Sequence, residues 1–150
     1  MPVAWRVTKK RRLPYDGTGA AFTGGRWHSP GRPVIHASDT YAGAILEILA
    51  HSLRPRTLPG PHHAVRIDIP DDVVERLDDA SIPGWYERGS AEPRNTGDRW
   101  LEERRTAALS VPSVPCRPIG RTFLINPAHP SAKRIIVSAA FDVPWDERLF

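Results

Sequence analysis

Residues 33–53 read PVIHASDTYAGAILEILAHSL and predict a short strand followed directly by a helix. Pro33–Ala37 has the apolar character of a buried strand. Ser38 or Asp39 can cap a helix, which we expect to run to about Leu53 and to end at the Arg-Pro pair that follows. One side of this helix repeats every 3.6 residues, and we expect it to face the core: Ala42, Ile45, Leu46, Leu49 and Leu53.

Glu47 lies on the other side of the predicted helix, roughly 150° from the centre of the apolar stripe. Its neighbours on that side are Gly43, Ala44, Ala50 and His51. An ordinary solvent-facing side carries Lys, Glu or Gln at such positions. The small residues therefore indicate close approach by another element or by a ligand. A surface Glu on an Ala-rich helix is the alternative.

The rest of the chain predicts further strands, a second helix and long loops. Residues 64–69 alternate between apolar and polar side chains, as in a half-exposed strand. Residues 71–77 are expected to form one or two helical turns, and residues 83–96 an irregular loop. A second helix is expected to start at Thr96 or Asp98. Other strands are predicted at Val3–Val7, Ser110–Val114, Thr122–Asn126 and Arg134–Phe141. Together these elements predict a single α+β domain with a mixed β-sheet core and flanking helices.

Length and cysteine content restrict the class of protein. A chain of 150 residues is expected to form one domain with its own core. Cys116 is the only cysteine, which excludes an internal disulfide and a multi-cysteine metal site. The first residues lack the apolar segment of a signal peptide, and no apolar run reaches the roughly 20 residues of a membrane span. We therefore expect a soluble cytoplasmic protein.

The charge balance leaves one alternative function open. The chain has 21 basic and 17 acidic residues, a formal net charge of +4 and a pI near 9.7. Lys9–Arg12 is a run of four basic residues, which can contact nucleic acid in a basic RNA-binding or RNA-cleaving protein. A solvated loop is the other interpretation, and Pro14 and Gly17 just beyond the run favour it.

Residues 24–27, Gly-Gly-Arg-Trp, place one guanidinium beside two glycines. Glycine has no Cβ, so a ligand can approach the backbone closely. Arg26 offers a planar fork of donors that matches a pyrophosphate, and Trp27 offers a flat face for a ring. This loop suits a nucleotide with a pyrophosphate. A tight surface turn with a solvated Arg is the alternative.

The chain lacks the sequence motifs of several common metal-binding, hydrolase and nucleotide-binding sites. The sequence contains no His-x-x-x-His or Cys-x-x-Cys metal motif, no Gly-x-Ser-x-Gly elbow and no P-loop. The candidates that remain are Arg26, Glu47 and Ser113, whose backbone is stiffened by the preceding proline. Asn126 stands at a strand end before Pro127, where its side chain either braces the turn or reaches a ligand.

Six motifs occur in an order that resembles the RES-domain toxins of bacterial type II toxin–antitoxin pairs. They are Gly24-Gly25-Arg26-Trp27, Ile45-Leu46-Glu47, Gly97-Asp98-x-Trp100-Leu101, Val111-Pro112-Ser113, Leu124-Ile125-Asn126-Pro127-x-His129-Pro130 and Asp146-Glu147-Arg148-Leu149. The Arg, Glu and Ser after which the family is named match Arg26, Glu47 and Ser113. The resemblance spans nearly the whole chain, from Trp5 to Leu149.

The resemblance implies a fold similar to that of ADP-ribosyltransferases, with NAD⁺ as substrate and no metal. Members of the family cleave the bond between nicotinamide and ribose, which arrests growth. Water, inorganic phosphate or a protein side chain then takes the ADP-ribose. The resemblance also implies a cognate Xre-type antitoxin that blocks the active site, and contact with nucleic acid only through that antitoxin.

Residue roles follow from the same resemblance. It implies catalytic roles for Arg26, Glu47 and Ser113, with Arg26 holding the pyrophosphate and Ser113 orienting the nicotinamide ribose or Glu47. The NAD⁺ contacts that it implies come from Arg26, Trp27, His36, Ser113 and Asn126.

Two positions depart from the family pattern. His36 stands where the family usually has Tyr, and His28 stands where Asn is common after Gly-Arg-Trp. An imidazole can also stack on nicotinamide, but it is smaller and normally titrates near neutral pH. These changes leave a catalytically inactive RES-like protein-binding domain as a further alternative.

Overall fold

The computed structural model describes residues 1–54 and 56–150. Its strands are β1 (Val3–Lys9), β2 (Ile35–Ser38), β3 (His62–Asp68), β4 (Val74–Arg76), β5 (Ala108–Pro112), β6 (Arg121–Ile125), β7 (Ile136–Val137) and β8 (Phe141–Asp142). Its α-helices are α1 (Thr18–Thr23), α2 (Tyr41–Ala50) and α3 (Glu92–Glu103). The predicted α+β class with a mixed sheet is confirmed.

The strands form one sheet in the order β4-β5-β6-β2-β1-β3-β7, and β8 also pairs with β3. All pairs are antiparallel except β4 with β5. The central strands β1 and β2 share a single register pair, Trp5 with Ser38. Beyond that pair the Arg6 side chain bridges the two strands by donating to His36 O at 2.8 Å. The sheet is therefore split at its centre, next to α2.

The position of α2 differs from the sequence prediction. Thr40 caps the helix, because its hydroxyl accepts a hydrogen bond from Gly43 N at 2.8 Å, and the helix ends at Ala50. Pro55, which was expected to end it, lies outside the described residues. The predicted core stripe is wrong for three of its members, because Ala42, Leu46 and Leu53 are exposed.

The small residues of α2 are the ones that face the protein. Gly43 and Ala44 are buried, and Ala44 packs with Val7 of β1 and Ala64 of β3. A Cβ on Gly43 would lie 2.9 Å from Thr40 Oγ1 and 3.4 Å from Ser38 Cβ. Gly43 therefore fits closely against the capping Thr40, and Gly43 and Ala44 bring this side of α2, with Glu47 on it, toward the sheet.

The second helix starts earlier than predicted. α3 begins at Glu92, and Pro93 occupies its first turn, where a missing N–H costs nothing. The expected loop at 83–96 is therefore helical from Glu92 onward. Thr96 and Asp98, proposed as starts, lie within the helix.

Three further segments correct the prediction. Residues 18–23 form α1 where a loop was expected, and Asp16 Oδ1 accepts from the N–H and hydroxyl of Thr18 at its start. The expected strand at 134–141 is divided into β7 and β8, and residues 71–77 combine one 3₁₀ turn with β4.

Within the described ranges, no helix has the length and apolarity that crossing a bilayer requires.

Candidate active site

The split in the sheet opens into a cavity of about 680 Å³ beneath α2. Its walls come from β1, β2, β6, α2, the 24–27 loop and the segment after β5. The lining residues that carry polar or titratable side chains are Arg6, Arg26, His36, Ser38, Glu47, His51, Arg88, Ser113 and Thr122. Arg26, Glu47 and Ser113, singled out from the sequence, thus border one hollow.

Glu47 and Ser113 are in direct contact. Ser113 Oγ donates a hydrogen bond to Glu47 Oε1 at 3.0 Å. Ser113 directly follows β5, is 3% exposed, and is fixed through its backbone N–H to Gly120 O at 3.1 Å. The Glu47 side chain keeps 27% of its surface exposed. The serine therefore holds a carboxylate that a ligand in the cavity can still reach.

The other oxygen of Glu47 faces a histidine. His51 Nε2 lies 3.4 Å from Glu47 Oε2, one helical turn away on α2. The hydrogen bond that the His51 ring donates to the Glu47 carboxylate raises the pKa of His51 above its ordinary value. The sequence analysis named His51 only as a neighbour, although the i,i+4 spacing of the two residues already indicated the contact.

Arg26 is anchored at one nitrogen and available at the others. Its Nη1 donates to Trp85 O at 3.1 Å and to Glu87 O at 3.2 Å. Nε and Nη2 have no hydrogen-bond partner within the described ranges. Gly24, at φ +65°, makes the turn before it, where a Cβ would lie 2.9 Å from Pro30 N. The loop therefore fixes the guanidinium while leaving a pair of donors for an anion.

Arg6 is a cavity residue that sequence reasoning missed. Its guanidinium donates to Pro14 O, His36 O and Asp16 O at 3.2, 2.8 and 3.1 Å. All three acceptors are neutral carbonyls, and burial lowers the pKa of Arg6. The only signal was an Arg on a strand of otherwise apolar character. It supplies positive charge to the cavity wall.

His36 lies in the cavity beside a second imidazole. His36 Nε2 is 3.3 Å from His28 Nε2, and the ring centroids are 5.1 Å apart. Burial lowers the pKa of His36 to about 3, and the charges of His28 and Arg6 act in the same direction. Burial also lowers the pKa of His28. His36 is therefore neutral at neutral pH, and its pKa lies well below that of an unperturbed imidazole.

Comparison with known proteins identifies the family. The model of the RES domain matches residues 3–146. This chain belongs to the RES domain family. Over 152 residues it is 36% identical to "Toxin Res" of Pseudomonas putida strain KT2440, covering 99% of each chain. It is 38% identical over 144 residues to "Prs ADP-ribosylating toxin" of Sphingobium sp. strain YBL2, covering 87% of this chain and 86% of the relative.

A solved structure supports the same fold. A chain in the crystal structure of the M. tuberculosis MbcT–MbcA toxin–antitoxin complex superposes with a TM-score of 0.76 at 17% identity. The match covers 94% of this chain and 83% of that one. The RES-domain fold assigned here therefore has a solved counterpart.

Trp27 and the Gly97-Asp98 pair of α3 pack around the loop that carries Arg26. Trp27 borders the cavity, but the residue is only 5% exposed and its ring packs on Trp85 with the centroids 5.9 Å apart, so little of its face is free to stack on a ligand ring. A Cβ on Gly97 would lie 1.6 Å from Trp27 O, and Asp98 accepts from Ser29 N at 2.7 Å. The packing of α3 therefore holds the loop that carries Arg26 in place.

Asn126 braces a turn outside the cavity. Its Oδ1 accepts from Ala128 N at 3.0 Å, and its backbone N–H donates to Ala107 O at 2.8 Å. The expected contact with NAD⁺ is not supported by this position.

In the described part of the chain, no three His, Cys, Asp or Glu side chains cluster in a way that could hold a metal ion.

Proposed function

We propose that this chain is the toxin of a type II toxin–antitoxin pair, and that it consumes NAD⁺ by cleaving the bond between nicotinamide and ribose. The observation that carries the proposal is the contact between Glu47 and Ser113 in a cavity whose wall also holds Arg26. The names of the relatives, "Toxin Res" and "Prs ADP-ribosylating toxin", support the same function.

The chemistry of the bond fits a single carboxylate. Nicotinamide leaves as a neutral molecule from a cationic ring nitrogen, so no general acid is needed. The ribose gains oxocarbenium character as the bond breaks. Among the described residues that line the cavity, Glu47 is the only acid. Its negative charge, held in place before the reaction, stabilises the developing cation. An ordinary two-carboxylate glycosidase would need a second acid at this cavity.

The cations of the cavity suit the two phosphates. Arg26 borders the cavity with its Nε and Nη2 donors unused, and Arg88 also borders the cavity. A guanidinium fork binds phosphate oxygens in a bidentate manner. Arg6 adds positive charge to the cavity wall, where bonds from Nε, Nη1 and Nη2 to three carbonyls hold its guanidinium in place. The substrate would then lie with its pyrophosphate at Arg26 and its nicotinamide ribose at Glu47.

The proposal also includes the group that accepts the ADP-ribose and the protein that blocks the cavity. The attacking group is water, inorganic phosphate or a protein side chain, and the named activity of the Sphingobium relative favours a protein acceptor. A cognate antitoxin of the Xre type would cover the cavity in the cytoplasm. The crystal structure with a similar fold contains a toxin together with its antitoxin, which supports an antitoxin as the partner.

The test is nicotinamide release by the purified chain. The chain is incubated with NAD⁺, with and without phosphate and a protein acceptor, and free nicotinamide is measured by chromatography. We expect release by the wild type and a loss of about a hundredfold or more in Glu47→Gln. Glu102→Gln, which alters an exposed carboxylate on α3, is the matched control. Intact NAD⁺ under all these conditions would overturn the proposal and favour an inactive, protein-binding domain.

A further inference from the structure

His28 and His36 form a hydrogen-bonded pair whose direction is fixed by a carbonyl group. His28 is fully buried, and its Nδ1 lies 3.1 Å from Ser29 O. A carbonyl oxygen can only accept, so His28 Nδ1 must carry the proton. A neutral imidazole has one N–H, which leaves His28 Nε2 with a lone pair. Since the two Nε2 atoms are 3.3 Å apart, His36 Nε2 must be the donor.

The same assignment determines what His36 presents to the cavity. With the proton on Nε2, its Nδ1 carries a lone pair and can only accept. This atom has no hydrogen-bond partner among residues 1–54 and 56–150. It also does not belong to the buried polar atoms without a partner, which in these ranges are Thr8 Oγ1 and Trp145 Nε1. His36 Nδ1 is therefore accessible, and the space beside His36 is the cavity.

Burial, more than the charges around the pair, keeps both rings neutral. Arg6 donates to the backbone carbonyl of His36, and His51 faces it from α2. His28 faces Asp98 and Arg94, both on α3. Burial dominates at both rings and opposes protonation. Both rings therefore favour the neutral form that this donor and acceptor arrangement requires.

We propose that His36 Nδ1 accepts a hydrogen bond from the carboxamide N–H of the nicotinamide ring, so that the His28–His36 pair selects an amide at this position of the substrate. The proposal rests on the proposed function and assigns the nicotinamide end of the same site. A group without N–H cannot make this bond, because an acetyl presents a methyl group to Nδ1 and a carboxylate presents an oxygen lone pair. The pair then selects NAD⁺ over its deamidated and 3-acetyl analogues.

Substrate selectivity tests the proposal. The ratio of kcat/KM for NAD⁺ to that for 3-acetylpyridine adenine dinucleotide is measured in the wild type and in His36→Phe. Comparing the two ratios removes the difference in leaving-group reactivity. We expect the wild-type ratio to exceed the variant ratio about tenfold, the factor expected for one hydrogen bond. His63→Gln, whose ring bonds Arg12 O outside the cavity, is the control and should keep the wild-type ratio.

The two failures are distinguishable. Equal ratios in the wild type and His36→Phe, with NAD⁺ still cleaved, overturn the role of His36 alone. No nicotinamide release by the wild type overturns the proposed function.

A second measurement does not depend on catalysis or on a variant that folds. Long-range ¹H–¹⁵N NMR spectra of the imidazole rings report which nitrogen is protonated. We expect the proton on Nδ1 of His28 and on Nε2 of His36, and an upfield shift of His36 Nδ1 when nicotinamide is added. The opposite tautomers, or no shift at saturating nicotinamide, would contradict the proposal.

Discussion

Ser113 Oγ donates to Glu47 Oε1 at 3.0 Å across a sequence separation of 66 residues. The bond connects the end of β5 to α2, so the conformer of the carboxylate is set by the packing of a helix on the sheet. Gly43 and Ala44 allow this packing because larger side chains would hold α2 away from β1 and β2. The position of Glu47 in the cavity therefore depends on residues that never touch a ligand.

Removing the Ser113 hydroxyl should lower kcat. Ser113→Ala leaves Glu47 Oε1 without its donor, and a hydrogen bond to a charged group is worth roughly 1.5–3 kcal/mol. If the bond serves to hold Glu47 in a reactive position, kcat for nicotinamide release falls about tenfold to a hundredfold while KM changes little. Steady-state kinetics measure both quantities. Ser138→Ala, far from the cavity at the β3–β7 edge, is the matched control. An unchanged kcat would remove the positioning role from Ser113.

The contact between His51 and Glu47 should appear in the titration of His51. The pKa of His51 is raised above 6.5 because its ring bonds the Glu47 carboxylate. Since the folded pKa is raised, the stabilisation from this contact is present below pH 6.5 and disappears as the pH rises through the raised value. NMR titration should give a lower His51 pKa in Glu47→Gln than in the wild type. The ring is 82% exposed, so the effect on stability is small, and an unchanged pKa would show that the contact is absent in solution.

The sequence predicted helices and strands better than it predicted which side of α2 faces inward. A 3.6-residue apolar period identifies a helix but assigns its large side chains to the core by default. In α2 the small residues Gly43 and Ala44 are the buried ones, and Leu46 is left 40% exposed. Glu47 was found because small residues around a lone carboxylate are unusual for either a core or a solvent-facing side.

Contacts between distant segments could not be predicted from local patterns. Trp27 was expected to be a stacking surface because its neighbours are glycines and an arginine, yet its ring packs on Trp85 within a core cluster that also contains Trp100. The hydrogen bond of Arg6 to His36 O arises only because β1 and β2 separate after one register pair. Pro93 within the first turn of α3 carried a local signal that the expected loop assignment overlooked.

Gly97 should not tolerate even the smallest side chain. A Cβ at this position would lie 1.6 Å from Trp27 O, a backbone atom that cannot move without displacing the Arg26 loop. Gly97→Ala should therefore lower the free energy of unfolding by about 3 kcal/mol, despite the higher helix propensity of alanine. Chemical denaturation measures the change. Asn95→Ala, an exposed substitution on the same helix, should alter stability by no more than about 0.5 kcal/mol. Equal stabilities for both variants would contradict the close packing of α3 on this loop.

Arg26 should matter only for substrates that carry phosphate. Arg26→Ala removes the guanidinium that we assign to the pyrophosphate, so KM for NAD⁺ should rise at least tenfold, since a charge-assisted bidentate bond is worth more than a neutral one. Cleavage of nicotinamide riboside, which has the same scissile bond and no phosphate, should be nearly unchanged. Arg99→Ala on α3, exposed and outside the cavity, should leave both substrates unaffected. Parallel loss with both substrates would instead indicate that Arg26 acts at the reacting ribose or holds the loop in shape through its bonds to Trp85 O and Glu87 O.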